Sequence, residues 1–211
     1  MHHAKRFVAR HIRLCRACLQ IVAVSSAFSL AQAADIVWTN AAGGDFSNPL
    51  NWNPNVVPGG ADRAIFEIET AAPYTVTWSC NVTNDNFHVK KGSLTWDLSG
   101  YAYHVHKTSS VVYSDGFGQT GSTLDMTITN GVLDVTTGYY RRVRGTTTLR
   151  ITDVTGAFGR YDNPGIEANC MVVLDNDTSL TSGRITILSG GSIIVTNRSE
   201  LLPGSNRFSI N

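Results

Sequence analysis

The chain has 211 residues, enough for one sizeable domain or two small ones. Its 17 Lys and Arg nearly balance 16 Asp and Glu, yet Lys5, Arg6, Arg10, Arg13 and Arg16 all fall within residues 1–33, which hold no acid. Residues 34–211 therefore keep 12 bases against 16 acids, a net charge of about −4, which excludes a strongly basic nucleic-acid binder.

The first predicted element is a leader. Met1 to Gln20 is polar and basic, Ile21 to Leu30 is apolar, and Ala31-Gln32-Ala33 places small residues at both positions that a signal peptidase reads. This predicts a secretory signal peptide over residues 1–33, cut between Ala33 and Ala34. The apolar run is about half the ~20 residues that span a bilayer. No second run of spanning length follows, so the mature chain is expected to lack a transmembrane segment and to be secreted or held at the cell surface. Cys15 and Cys18 leave with the leader. Cys80 and Cys170 remain, too few for a disulfide framework.

Residues 34–66 form the next unit. Trp38, Trp52, Pro49, Pro54 and Pro58, with glycine pairs at 43–44 and 59–60, forbid a central strand and predict a turn-rich N-terminal cap. Ala64 to Ile68 starts the first clean strand, and residues 67–211 read as a repeat region of short strands punctuated by Gly or Asn-Asp clusters. Residues 34–211 hold 22 Thr, 16 Val, 11 Ile, 15 Asn and all 19 Gly, a composition of strands and turns. Tyr74, Val76 and Trp78 alternate with threonines, and Leu124, Met126 and Ile128 alternate with Asp125 and Thr127, the period of a strand with one apolar face.

Internal similarity sharpens the fold. Met126-Thr127-Ile128-Thr129-Asn130-Gly131 overlays Ile151-Thr152-Asp153-Val154-Thr155-Gly156, so that Met126 falls on Ile151, and further copies begin at Phe87 and Ile185. One strand–turn–strand unit cannot bury its own apolar face, whereas stacked units can. The expected fold is all-β, a right-handed parallel β-helix or β-solenoid with irregular rungs; the alternative is a β-sandwich or jelly roll. Three to four rungs would separate Cys80 from Cys170, far beyond disulfide reach, so a solenoid predicts two separate thiols behaving as small buried residues.

Gly44-Asp45-Phe46, Asn51-Trp52, Pro58, Asp62, Ala64 and Phe66 resemble the opening of large exported bacterial surface proteins, which continue into autotransporter-passenger-like β-strand repeats. The resemblance covers the short opening from Gly44 to Phe66, with looser repeats beyond. It implies a parallel β-helix displayed outside the cell. No outer-membrane barrel or sorting tail follows the repeats, so the chain reads as a truncated member.

Candidate chemistry is sparse. Tyr139-Tyr140-Arg141-Arg142-Val143-Arg144 is the dense basic cluster, and Tyr139, Tyr140, Arg141, Arg142 and Arg144 are the candidate ligand-binding residues. Arginine forks beside aromatic rings suit an anionic sugar or surface polymer. His104 and His106 share a strand face, but no third ligand sits at a telling spacing. Asp175-Asn176-Asp177 and Asn84-Asp85-Asn86 read as Asx turns rather than calcium loops. No catalytic residues, cofactor or metal site are expected. The functional expectation is an exported, non-enzymatic surface or extracellular-matrix structural or adhesion protein. Its alternatives are a carbohydrate-binding module with a tryptophan platform, or a β-helix polysaccharide-degrading enzyme. Glycans or cell-surface polymers are the expected partners, with self-association through the C-terminal edge.

Overall fold

The computed structural model describes residues 34–106, 116–137, 142–158, 165–182, 185–203 and 209–210. The leader expected over residues 1–33 lies outside them. The protein is nearly all-β, 58% strand against 2% helical. It opens with β1 (Asp35–Trp38), β2 (Gly44–Asp45), a 3-10 turn at Pro49–Asn51 and β3 (Trp52–Asn53). Then β4 (Arg63–Phe66), β5 (Tyr74–Thr77) and β6 (Val82–Asn84) supply one strand to each of three faces. The cycle repeats as β7 (Asn86–Val89), β8 (Gly92–Asp97) and β9 (Ala102–His106). In the next two coils one long bent strand serves the second and third faces. There β10 (Gly116–Phe117) leads to β11 (Thr123–Thr137), and β12 (Arg142–Val143) leads to β13 (Thr146–Phe158). Three strands return with β14 (Gly165–Ile166), β15 (Cys170–Asp175) and β16 (Ser179–Ser182). They are followed by β17 (Thr186–Ile187), β18 (Ser192–Val195), β19 (Glu200–Pro203) and β20 (Ser209–Ile210).

Strands pair in parallel with their equivalents one coil away, so the chain is a β-solenoid and not a sandwich. Among the described strands the antiparallel pair is β1 with β3, at the N-terminal end of the first face. One column of that face runs Ile65, His88, Gly116, Arg142, Gly165, Thr186 and Ser209. The steps between its members are unequal, so the rungs are irregular, as expected. The overlay of Met126 on Ile151 is corrected: Met126 pairs with Leu149, and Ile128 with Ile151. A slip of two leaves every side chain on its own face, so the pattern of apolar residues reads equally well either way. The copies at Phe87 and Ile185 belong to the first face, and those at Met126 and Ile151 to the second.

Stacking places like on like inside. Tyr74, Leu94, Met126, Leu149, Val172 and Ile193 form one inward column, and Val82, Tyr103, Leu133, Gly156, Leu180 and Leu201 another. All but the last-coil members Ile193 and Leu201 and the side-chain-free Gly156 belong to the buried core. Each such side chain is worth roughly 1.5–3 kcal/mol when fully buried. The long strands bend at Asn130 (φ 59°) and Asp153 (φ 55°), and Asn176 (φ 49°) and Asn197 (φ 49°) turn the later coils. Asn and Asp tolerate this left-handed geometry best among residues with a Cβ. The corner is tied between coils: Asn176 Nδ2 donates to Asp153 Oδ1 at 2.7 Å, and Asn197 Nδ2 to Asp175 Oδ1 at 2.6 Å. Gly156 (φ 135°) sits where a Cβ would strike the Leu133 carbonyl, so the close approach of those two strands requires glycine.

Cys80 and Cys170 are both free thiols, as the solenoid geometry demands. Cys170 is buried, but Cys80 is exposed, which corrects the expectation of two buried thiols. Cys80 lies in the exposed stretch beyond β5, where its Sγ is 3.3 Å from Ser47 Oγ.

Candidate functional site

The alternation that sends Phe66, Phe87, Val89, Phe117 and Val143 inward sends their neighbours outward on the first face. Ile65, His88, Gly116, Arg142 and Gly165 form one outer column. Backbone bonds from Lys90 to Phe66, Gly118 to Val89, Arg144 to Phe117 and Glu167 to Val143 place Lys90, Gly118, Arg144 and Glu167 in the adjacent column. The parallel register thus collects Lys90, Arg142 and Arg144 on one face, with Arg63 at its N-terminal end. The sequence-predicted Arg142 and Arg144 belong to this face, whereas Tyr139, Tyr140 and Arg141 lie outside the described residues.

The cations are held by carboxylates in the neighbouring coils. Arg63 Nε donates to Asp35 Oδ1 at 2.8 Å, and Lys90 Nζ lies 2.6 Å from Glu67 Oε2. Arg142 Nη1 and Arg144 Nε both approach Glu167 Oε1, at 3.1 and 3.2 Å; the second is an ion-pair contact without hydrogen-bond alignment. Two arginines on one carboxylate leave a positive surplus on a face of residues 34–211, which are acidic as a whole. His88 lies among these charges, with Nε2 3.3 Å from the Gly118 carbonyl. Burial, aided by Lys90, Arg63 and Arg144, pushes its pKa down to about 4, so the ring is neutral at physiological pH. Such a face can hold a carboxylate or sulfate through guanidinium forks. Arg63, the neighbours His88 and Lys90, and Glu167 escaped sequence reasoning because these three segments are far apart in the chain at unequal steps, and only the coil register gathers them with Arg142 and Arg144.

The other candidates resolve individually. His104 pairs with Asp134 (Nδ1 to Oδ2, 3.3 Å) rather than with His106, and Thr83, His104 and Asp134 share one outer column of the third face. Asn84 is buried and donates to the Pro58 and Gly59 carbonyls at 2.7 and 3.0 Å, tying the N-terminal segment to the stack. Asp175, Asn176 and Asp177 belong to the corner ladder, where hydrogen bonds from Thr196 and Asn197 hold the Asp175 carboxyl below the usual range. Among the described residues no group of three or more His, Cys, Asp or Glu is placed to hold a metal ion, and no helix is long and apolar enough to cross a membrane. The four tryptophans Trp38, Trp52, Trp78 and Trp96 are all buried. In comparisons with known proteins, no family model, curated protein or solved structure matches the chain.

Proposed function

We propose that the chain is an exported, non-enzymatic structural or adhesion protein of a bacterial surface or extracellular matrix, with autotransporter-like coils. The observation that carries this reading is the division of labour between inside and outside. The large aromatic and aliphatic side chains are spent on a continuous core, and the outer faces carry rows of Thr, Asp, Asn and Arg in coil register. Such rows suit repeated polar contacts to a polymer. The opening at Gly44-Asp45-Phe46 and Asn51-Trp52, with its resemblance to exported surface proteins, supports the same reading, as does the leader pattern before Ala34.

Arg142 and Arg144 favour an anionic glycan as the polymer, because their shared partner Glu167 leaves charge to spare. A carbohydrate-binding module built on a tryptophan platform has less support, since every tryptophan is buried. Self-association at the C-terminal edge would extend the displayed surface. The test is secretion from a bacterial host with the native leader, followed by terminal sequencing and retention on polygalacturonate and on neutral dextran. Export with a new terminus at Ala34 and salt-sensitive retention on polygalacturonate alone is the expected result, weakened several-fold in R142Q/R144Q. Retention of Met1 inside the cell, or equal binding to both polymers, would overturn it.

A further inference from the structure

The third face gives the His104–His106 pair a partner that its spacing in the chain does not show. β9 sends Tyr103 and Val105 into the core, so His104 and His106 both point outward, and His106 is exposed. Thr83, His104, Asp134, Ala157 and Thr181 fill one outer column, one from each coil. Asp134, directly opposite His104, brings Oδ2 to 3.3 Å from the ring Nδ1. Its other carboxylate oxygen, Oδ1, is buried without a hydrogen-bond partner. An ionised carboxylate only accepts, so it fixes the tautomer with a proton on Nδ1 and leaves a lone pair on Nε2. The His104 side chain keeps 41% of its surface open to solvent, enough for that nitrogen to be reached.

A histidine whose second nitrogen is backed by a carboxylate is the usual form of a metal-bound histidine, because the partner fixes the ring and raises its basicity as a ligand. Outward residues two apart on one strand have Cα atoms about 6.5 Å apart. Two imidazoles can bridge that span to one ion, each nitrogen about 2.0–2.1 Å from it. The electrostatics also suit a cation. Among the described residues, β6, β9, β16 and the third-face stretches of β11 and β13 hold no Lys or Arg, whereas the first face carries Arg63, Lys90, Arg142 and Arg144. We propose that His104 and His106 chelate one divalent transition-metal ion of the zinc or copper class, with Asp134 as the positioning residue behind His104. Imidazole ligands select these ions over calcium and magnesium, which seek oxygen. The described residues form no cage of three or more such ligands, so water completes the coordination and the ion is exchangeable. The site lies on a different face from Arg142 and Arg144 and does not depend on the glycan reading.

Zinc titration of the full chain, followed by nuclear magnetic resonance of the histidine rings, is the test. A C15S/C18S/C80S background removes competing thiols whether or not the leader is cut. The ring signals of His104 and His106, assigned by their loss in H104Q and H106Q, should shift together with one common Zn²⁺ affinity, while those of His88 on the first face stay unmoved. The His104 shift should be lost in H106Q, whose metal-free melting temperature should match the parent's because His106 is exposed. D134N should weaken Zn²⁺ binding about tenfold and release the fixed tautomer of the His104 ring, read from its nitrogen shifts. His104 and His106 signals that neither shift with excess Zn²⁺ nor broaden with Cu²⁺ would overturn the site. So would zinc binding at His104 that persists unchanged in H106Q. An unchanged affinity and tautomer in D134N would overturn the role given to Asp134.

Discussion

The two halves of the solenoid are built from the same coil but packed with different materials. In the N-terminal half the interior is aromatic: Trp38 meets Trp52 edge-on at 5.1 Å, Phe46 stacks on Trp78 at 5.0 Å, and Trp96 contacts Phe66 at 5.1 Å and Tyr103 at 5.3 Å. In the C-terminal half the corresponding positions are Ile151, Leu174, Ile166 and Leu180, and a void remains among them. The rings fix the N-terminal segment because two of them also donate hydrogen bonds into it. Trp38 Nε1 donates to the Asn40 carbonyl at 2.8 Å, and Trp52 Nε1 to the Phe46 carbonyl at 2.7 Å. An end that must be closed is thus closed with large, partly polar side chains, whereas aliphatic columns suffice where another rung can simply be added.

The sharpest way to break this contrast is to remove one ring. Trp52→Ala should cost about 3–5 kcal/mol, because it opens a large cavity and strands the Phe46 carbonyl. Leu201→Ala, at the partly buried other end, should cost under about 2 kcal/mol. Urea unfolding of both variants checks it, and equal losses would show that the two ends are energetically alike.

The next effect is a pH dependence seated in the aromatic half. His88 has a folded pKa of about 4, below its unfolded value near 6.5. The unfolded chain therefore binds a proton first. Stability is fully present above about pH 6.5 and falls as the pH drops toward 4, by on the order of 1–2 kcal/mol after allowance for solvent screening. His88→Gln should flatten that part of the profile in thermal melts, while His104→Gln should leave it in place.

Smaller changes sharpen the comparison from both sides. The Tyr74 hydroxyl is buried without a hydrogen-bond partner, and burial raises its pKa, so the phenol stays neutral. Tyr74→Phe should therefore stabilise the protein by up to about 1 kcal/mol. In the aliphatic half, Val172→Ile adds a methylene beside the void and should gain about 0.5 kcal/mol. Calorimetry on the two variants would show whether each half is limited by its own defect, an unpaired polar atom in one and missing volume in the other.

Much of this architecture was legible in the residues. The alternation around Tyr74–Trp78 and Leu124–Ile128 fixed which side chains point inward, and the recurring strand–turn unit pointed to stacked coils. The register was not legible, because a slip of two preserves alternation and only three-dimensional stacking selects Leu149 over Ile151 as the partner of Met126. The bends were hidden for a different reason. Asn130 and Asp153 look like strand terminators, yet in left-handed geometry they carry β11 and β13 around a corner without ending them. The candidate site was half visible: Arg142 and Arg144 announced themselves by density, whereas His88 and Lys90 joined them only through the fold. His104 could not be matched to Asp134 from its neighbours, since the two are far apart in the chain.

The corner ladder also sets a stride. Arg142, Gly165 and Thr186 share one column, and from each of them the chain takes the same number of steps to reach left-handed Asp153, Asn176 and Asn197 in turn. Because that interval is constant over three successive coils, a tandem copy of one coil would bring its own corner with it and meet its neighbours in step. The fold can therefore lengthen by gene duplication, about 4.8 Å at a time, without renegotiating the contacts on either side. Its length is a quantity that can change one coil at a time, each coil bringing its own core and interface with it.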